Sequence, residues 1–182
     1  AAKAFDDAFE TGQRALAACP LPTIARIQGH CIGGGLELAL ACDLRIAIER
    51  AKFGYPVARF GLIPTPASLE RLIESIGPNQ AKWLLFTGEW ISAQQAEAWG
   101  LINRAIPDET FEADVEQIVA QTAQGAPLTI SVSKHLIETK TKQGQLGEAI
   151  IDWAYQKIYT SRDLQEGLRA FQEKRRPAFQ NK

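Results

Sequence analysis

Apolar positions along this chain follow one rhythm in the first hundred residues and another afterwards. Phe5, Ala8, Phe9 and Leu16 fall on a single stripe, which predicts an opening amphipathic helix that Pro20 and Pro22 end. Thr23–Gln28 reads as a strand, and a continuous apolar segment (Leu36, Leu38, Ala39, Leu40, Ala41, Cys42) predicts a buried helix behind the glycines at 33–35. Leu44–Ile48 predicts a second strand, and residues 52–66, with two glycines and three prolines, an ordered loop. Helices are expected at 67–76 and 78–87, interrupted by Gly77-Pro78. Ser92 is a natural N-cap for a short helix ended by Gly100, and 101–105 predicts a short strand.

From Pro107 the pattern is helical, with segments near 109–124, 127–141, 145–160 and 162–173. The shift places a domain boundary near 107: an α/β part over 1–107 and a helical part over 108–182. Few strands are recognisable, and two strands do not make a stable sheet, so further strands are expected from elsewhere. Leu128, Ile130, Val132 and Leu136, then Leu146, Ile150, Trp153 and Ile158, are more apolar positions than a small unit covers by itself. The helical part is therefore expected to mediate oligomerisation.

The candidate chemistry lies where the first strand meets the buried helix. Glycines at 33, 34 and 35 let a ligand approach the backbone, because no Cβ intervenes. The first amides of a helix have no intrahelical acceptor and carry the positive end of its dipole. They suit an anion, or an oxygen that becomes anionic during reaction. Glu37 follows Gly34 by three residues and so shares its helix face. A plain glycine turn with a dipole-favoured glutamate is the alternative, but a carboxylate on so apolar a helix must be paired, protonated or useful. The Lys-Ser/Thr of a phosphate-binding P-loop is absent, and consecutive glycines do not make a dinucleotide fingerprint.

Composition excludes some classes. A chain of 182 residues with 46% hydrophobic and 23% charged residues and a net charge of −1 is ordinary globular protein, not a dedicated nucleic-acid or membrane-surface binder. Lys174, Arg175, Arg176 and Lys182 gather near the end, as a solvated face or a small phosphate site. Cys19, Cys31 and Cys42 lack metal-ligand spacing and read as reduced core residues of a cytoplasmic or mitochondrial-matrix protein. No leader or membrane span is expected. With no Met anywhere, the chain is expected to begin inside a longer reading frame. His30 and His135 lie far apart without metal spacing, and Trp83, Trp90, Trp99 and Trp153 read mostly as core. Ser68, His30 and Asp43 have no local sign of an activated serine; Asp43 is expected to hold structure near Arg45.

Four ordered segments, Pro22–Ala39, Ala41–Ala47, Thr87–Ile102 and Glu166–Arg175, resemble the crotonase superfamily of enoyl-CoA hydratases and isomerases. The resemblance implies an α/β spiral of ββα turns, here N-terminally incomplete, followed by C-terminal helices that build a homotrimer or hexamer. It implies an acyl-CoA thioester substrate, with coenzyme A as part of that substrate and no separate cofactor, metal, nucleic-acid or membrane partner. The thioester enolate oxygen would sit in an oxyanion hole to which Gly34 contributes one amide. Glu37 matches the first of two catalytic glutamates. Gly33, Tyr55, Val57 and Thr65 match positions around the substrate, and Phe171 and Lys174 match terminal-helix positions that meet the CoA adenine and phosphate of a neighbouring subunit.

Two departures qualify the match. The family carries further strands and the other oxyanion amide ahead of the segment equivalent to residue 1. The second glutamate position, within Phe53–Val57, holds Val57, which cannot transfer a proton, and Pro64-Thr65-Pro66-Ala67-Ser68 replaces a glycine-rich turn. Tyr55 and Thr65 are the hydroxyls available there, against the plainer reading of packing and a turn contact. The leading expectation is an enoyl-CoA hydratase/isomerase-type lyase. Val57 keeps open another enolate chemistry, decarboxylation or thioester hydrolysis, and a non-catalytic CoA-binding or assembly subunit.

Overall fold

The computed structural model describes residues 2–181, with side chains from residue 8 onward. In chain order its elements are α1 (Ala2–Ala17), β1 (Ile24–Ile27), β2 (His30–Ile32), α2 (Gly34–Leu40), β3 (Leu44–Ile48) and β4 (Lys52–Gly54), then a 3-10 turn (Val57–Phe60). They continue with α3 (Pro66–Thr87), β5 (Ile91–Ser92), α4 (Ala93–Trp99), β6 (Arg104–Ile106), α5 (Phe111–Ala123), α6 (Pro127–Gln143), α7 (Glu148–Tyr159) and α8 (Arg162–Gln172). Two compact units result: α1 with residues 23–116, and residues 20–22 with 117–182. The division falls inside α5, while the change in composition lies near 107. The Phe5 member of the opening stripe lies outside the described side chains.

In the first unit the chain alternates between two sheets. β1, β3 and β6 form a parallel sheet in that order, with Ile24 opposite Leu44 and Ile46 opposite Arg104. β2 and β4 pair in parallel and β5 joins β4 antiparallel. Each pass therefore places one strand in each sheet and then a helix: β1-β2-α2, then β3-β4-α3. This is a ββα spiral, and the mixed α/β first part with helices after it agrees with the expected fold class. Leu36, Ile46, Phe53, Leu72, Leu84 and Leu101 are fully buried between the layers.

Several local readings are corrected. Residues 52–66 are not all loop, because β4 and the 3-10 turn lie within them. Cys31 faces Phe53 across the ladder, and that non-local pairing makes a three-residue strand that no local pattern announces. β6 starts at Arg104, later than the expected 101–105, because Leu101 and Ile102 donate their amides to the Ala96 carbonyl at the end of α4. The expected break at Gly77-Pro78 is present: Gly77, at φ 72° and ψ 166°, is non-helical and divides α3 into two helical segments. α2 is not buried all round, since Leu38 is exposed. Trp83, Trp90 and Trp153 are exposed rather than core. Cys31 is buried but Cys19 and Cys42 only partly so, and none of the three is in a disulfide.

Arg45 closes the C-terminal end of α2. Its Nη1 donates to the Cys42 carbonyl at 2.8 Å and its Nε to the Leu101 carbonyl at 2.8 Å, placing a cation where helix carbonyls accumulate negative charge. Asp43 accepts from the Thr23 amide at 2.7 Å and the Thr23 hydroxyl at 3.0 Å, pinning the start of β1 against β3. The Gly88 backbone requires glycine: at φ 61° it caps α3, and a Cβ there would lie 2.9 Å from Arg59 Nε and 3.3 Å from the Pro56 Cα.

In the second unit the last residues fold back on α8. The Asp163 carboxylate accepts from the Gln180 and Asn181 amides at 2.8 and 3.1 Å. Glu166 accepts from both Arg175 Nη atoms and from the Ala178 amide at 2.8 Å. Ile137, Tyr155, Tyr159 and Leu168 are exposed on these helices. Among the described residues no helix is long and apolar enough to cross a membrane, and no cluster of His, Cys, Asp or Glu is arranged to hold a metal ion.

Two outcomes are expected. Gly88→Ala should lower stability by about 1–2 kcal/mol in urea unfolding, the cost of a left-handed Cβ, with more from the contact with Pro56. The Arg175 guanidinium first, and the Ala178 amide second, hold the Glu166 carboxyl down from 4.5 to about 2. A depressed folded value means that the tether is intact above the ordinary carboxylate range and lost as pH falls toward 2. Hydrogen exchange at the Ala178 amide, corrected for its intrinsic rate, should accelerate across that window, and Glu166→Gln should already be fast at neutral pH.

Candidate active site around Glu37

The site is assembled where β2 turns into α2. Gly33 takes φ 54° and ψ −122°, a conformation closed to side-chain-bearing residues, and donates its amide to the Gly54 carbonyl at 3.0 Å. Its own carbonyl accepts from the Glu37 amide at 3.0 Å, so the turn and the first helical turn are one hydrogen-bonded unit. Gly34 is the first helical residue, and its amide has no acceptor within the helix. A Cβ on Gly34 would approach the Phe9 ring to 3.2 Å, a tight contact that α1 avoids because the residue is glycine.

Glu37 points inward and is 8% exposed. Three donors from three separate elements meet its carboxylate. The Tyr55 hydroxyl, just after β4, donates to Oε1 in a short hydrogen bond. Gln13 Nε2 of α1 donates to Oε2 at 2.8 Å, and the Ser68 hydroxyl of α3 lies 2.9 Å from the same oxygen. Among the described residues no buried side-chain polar atom is left without a partner. A carboxylate can be buried on an apolar helix at tolerable cost because all three partners are supplied together.

The partners are themselves held. Thr65 caps α3: its Oγ1 accepts from the Ser68 amide at 3.2 Å and lies 2.9 Å from the Ser68 hydroxyl oxygen. Gln13 Oε1 is 3.0 Å from Ser68 Oγ and 3.4 Å from Arg71 Nη1. Burial, with the Glu37 carboxylate alongside, pushes the Tyr55 phenol well above its ordinary range. Tyr55 stands beside the carboxylate as a hydrogen-bond donor.

Of the residues singled out from sequence, Gly33, Gly34, Glu37, Tyr55 and Thr65 come together here. Val57, two residues beyond Tyr55, is half-buried at the start of the 3-10 turn. Phe171 and Lys174 lie in the second unit, Phe171 at 84% exposure and Lys174 at φ 52° just past α8. Ser68 belongs to the Glu37 cluster and Asp43 to Thr23, so neither takes part in a Ser-His-Asp set. Gln13 was not signalled by sequence: it stands between Gly12 and Arg14 on α1, and only the approach of α1 to α2 and α3 buries it.

Two openings flank this centre. A groove of 380 Å³ runs beside β1 and α2, lined by Ile27, His30, Cys31, Gly35, Leu38 and Cys42 among others. The Cys31 thiol in its wall is pushed up to about 12 by burial and so is an inert packing group. A second cavity of 280 Å³, lined by Glu10, Gln13, Arg14, Thr65, Pro66, Ala67 and Arg71, lies against the Gln13 side of the carboxylate cluster.

Comparison with known proteins gives a consistent result. The family profile described as enoyl-CoA hydratase/isomerase matches residues 1–182. The enoyl-CoA isomerase/hydratase fer4 of Mycosarcoma maydis is 39% identical over 165 residues, which are 90% of this chain and 60% of that protein. The chain spans 54–64% of the length of the first curated relatives it matches. A crystal structure of an enoyl-CoA hydratase/carnithine racemase from Magnetospirillum magneticum superposes with a TM-score of 0.94 at 35% identity, covering 100% of this chain and 67% of that one. The enoyl-CoA hydratase of Bacillus anthracis gives 0.90 at 32% identity, covering 99% and 71%. With its ββα spiral, its Gly33–Gly35 turn and a profile match from end to end, the chain belongs to the enoyl-CoA hydratase/isomerase family.

Proposed function

We propose that the protein carrying this chain acts on an acyl-CoA thioester, stabilising its enolate with the Gly34 amide and moving a proton with Glu37. The observation that carries this reading is a buried carboxylate one helical turn behind a helix-start amide that has no acceptor within the helix, on a turn where nothing lies within 4 Å of a Cβ at Gly33 or Gly35. The amide is suited to an oxygen that gains charge in the transition state, and the carboxylate to a proton on the adjacent carbon. The relatives named as enoyl-CoA hydratases and isomerases support the substrate class. Gly33 and Tyr55 shape the near side of the site. Phe171 and Lys174 are proposed to meet the CoA moiety bound by a neighbouring subunit.

Val57 favours a second reading within the same chemistry. Paired-carboxylate hydration needs a second carboxylate, and neither Val57 nor Tyr55 supplies one. Glu37 is bonded to hydroxyls and an amide, not to a second carboxylate. A reaction that needs one carboxylate, such as decarboxylation through the enolate or thioester hydrolysis through a tetrahedral oxyanion with the CoA thiol leaving, fits this arrangement.

The test uses the intact protein and a panel of enoyl-, malonyl-type and saturated acyl-CoA thioesters, with products identified by mass. Glu37→Gln should lower turnover of whichever thioester is consumed by about 10²–10⁴-fold, the usual worth of positioned proton transfer. Val57→Glu should add or improve hydration of a short enoyl-CoA. Unchanged turnover in Glu37→Gln would make that residue structural and leave a binding or assembly role.

Assembly is proposed on separate grounds. Exposed Ile137, Tyr155, Tyr159 and Leu168 on the C-terminal helices support a homo-oligomer, a trimer or a hexamer of paired trimers. Sedimentation of the intact protein at micromolar concentration should give a trimer or hexamer, and a well-behaved monomer would contradict the proposal.

A further inference from the structure

The cluster around Glu37 does more than neutralise a buried charge, because its donors are distributed unequally between the two carboxylate oxygens. A carboxylate offers two acceptor directions on each oxygen. Oε2 is approached by Gln13 Nε2 at 2.8 Å and by the Ser68 hydroxyl at 2.9 Å, which uses both. Among the described residues, Oε1 is approached by the Tyr55 hydroxyl alone, which leaves one acceptor direction unused.

The acceptors in reach of the single Ser68 proton include Glu37 Oε2 and Gln13 Oε1 at 3.0 Å. The charged acceptor is the stronger. Thr65 reinforces that choice: its hydroxyl, 2.9 Å away, donates to Ser68 Oγ and leaves the Ser68 proton for Glu37. Gln13 Oε1 is then served by Arg71, at 3.4 Å, and Gln13 Nε2 stays turned toward the carboxylate.

We propose that Gln13, Tyr55 and Ser68 are positioning residues that fix the Glu37 rotamer and confine its proton transfer to Oε1. None of them exchanges a proton with substrate. Ser68 and Tyr55 are at most 1% exposed and Gln13 is 2% exposed, so water does not compete for the hydrogen bonds they donate to the carboxylate. In a site with one carboxylate, the three donors replace the restraint that a partner acid would otherwise give. This inference rests on the acid/base reading of Glu37.

The test is a set of double-mutant cycles in the intact protein. Tyr55→Phe keeps the ring and removes one donor, and Ser68→Ala removes another from a different element. Each should lower kcat by about 10–100-fold with KM little changed, as expected when a reacting group is misplaced by about 1 Å. In a Glu37→Gln background the same substitutions should cost almost nothing further, because there is no longer a carboxylate to position. Ser68→Thr, which keeps the hydroxyl, should recover more activity than Ser68→Ala. Should Ser68→Ala fold poorly, Gln13→Leu on the surface-facing α1 gives the same cycle. Crystal structures of Tyr55→Phe or Ser68→Ala should show Glu37 rotated or in more than one conformer.

Undiminished kcat in Tyr55→Phe and Ser68→Ala, with Glu37→Gln impaired, would overturn the positioning role and leave the acid/base reading standing. Equal losses in the wild-type and Glu37→Gln backgrounds would also overturn it, by showing a structural effect independent of Glu37. Full activity in Glu37→Gln would instead overturn the acid/base reading, and the positioning role with it.

Discussion

The first unit is organised around one demand: a carboxylate taken out of water must be given its hydrogen bonds by the protein. Glu37 receives them from Gln13 on α1, Tyr55 beyond β4 and Ser68 on α3. Removing any one donor from a buried charge costs more than an average hydrogen bond contributes, so the three elements are tied to each other through a single side chain. Between-element geometry that apolar packing alone would leave adjustable is thereby set in direction as well as distance.

Electrostatics at the two ends of α2 follow the same economy. At its start the glycine turn leaves amides facing outward, where partial positive charge accumulates. At its end Arg45 covers the Cys42 and Leu101 carbonyls with positive charge of its own. Burial lowers the Arg45 guanidinium from its usual value, opposed by the nearby Cys42 and Asp43, yet it remains a cation at any physiological pH. A helix of only seven residues is thus held by groups outside it, since so short a helix is not stable by propensity.

Much of the architecture was legible because it depends on local rules. Pro20 and Pro22, Gly77-Pro78, Ser92 and Gly100 each punctuate the chain where the structure begins, kinks or ends an element. The long C-terminal helices followed from apolar spacing. Short strands and exposed tryptophans were misread for the opposite reason. β4 exists because β2 and β5 pair with it, and Trp90 lies outside the core because it meets His30 edge-on at the surface.

The sequence by itself determined that a glycine turn would precede an apolar helix and that Glu37 would share a face with Gly34. Those are consequences of spacing along one helix. Only the tertiary structure decided what Glu37 touches. Gln13 and Ser68 are 24 and 31 residues away, and nothing local distinguishes them from other polar residues on solvent-facing turns. Their role arises when α1 and α3 close over α2, because a hydrogen-bond partner is chosen by proximity in space, and packing rather than sequence separation sets that proximity.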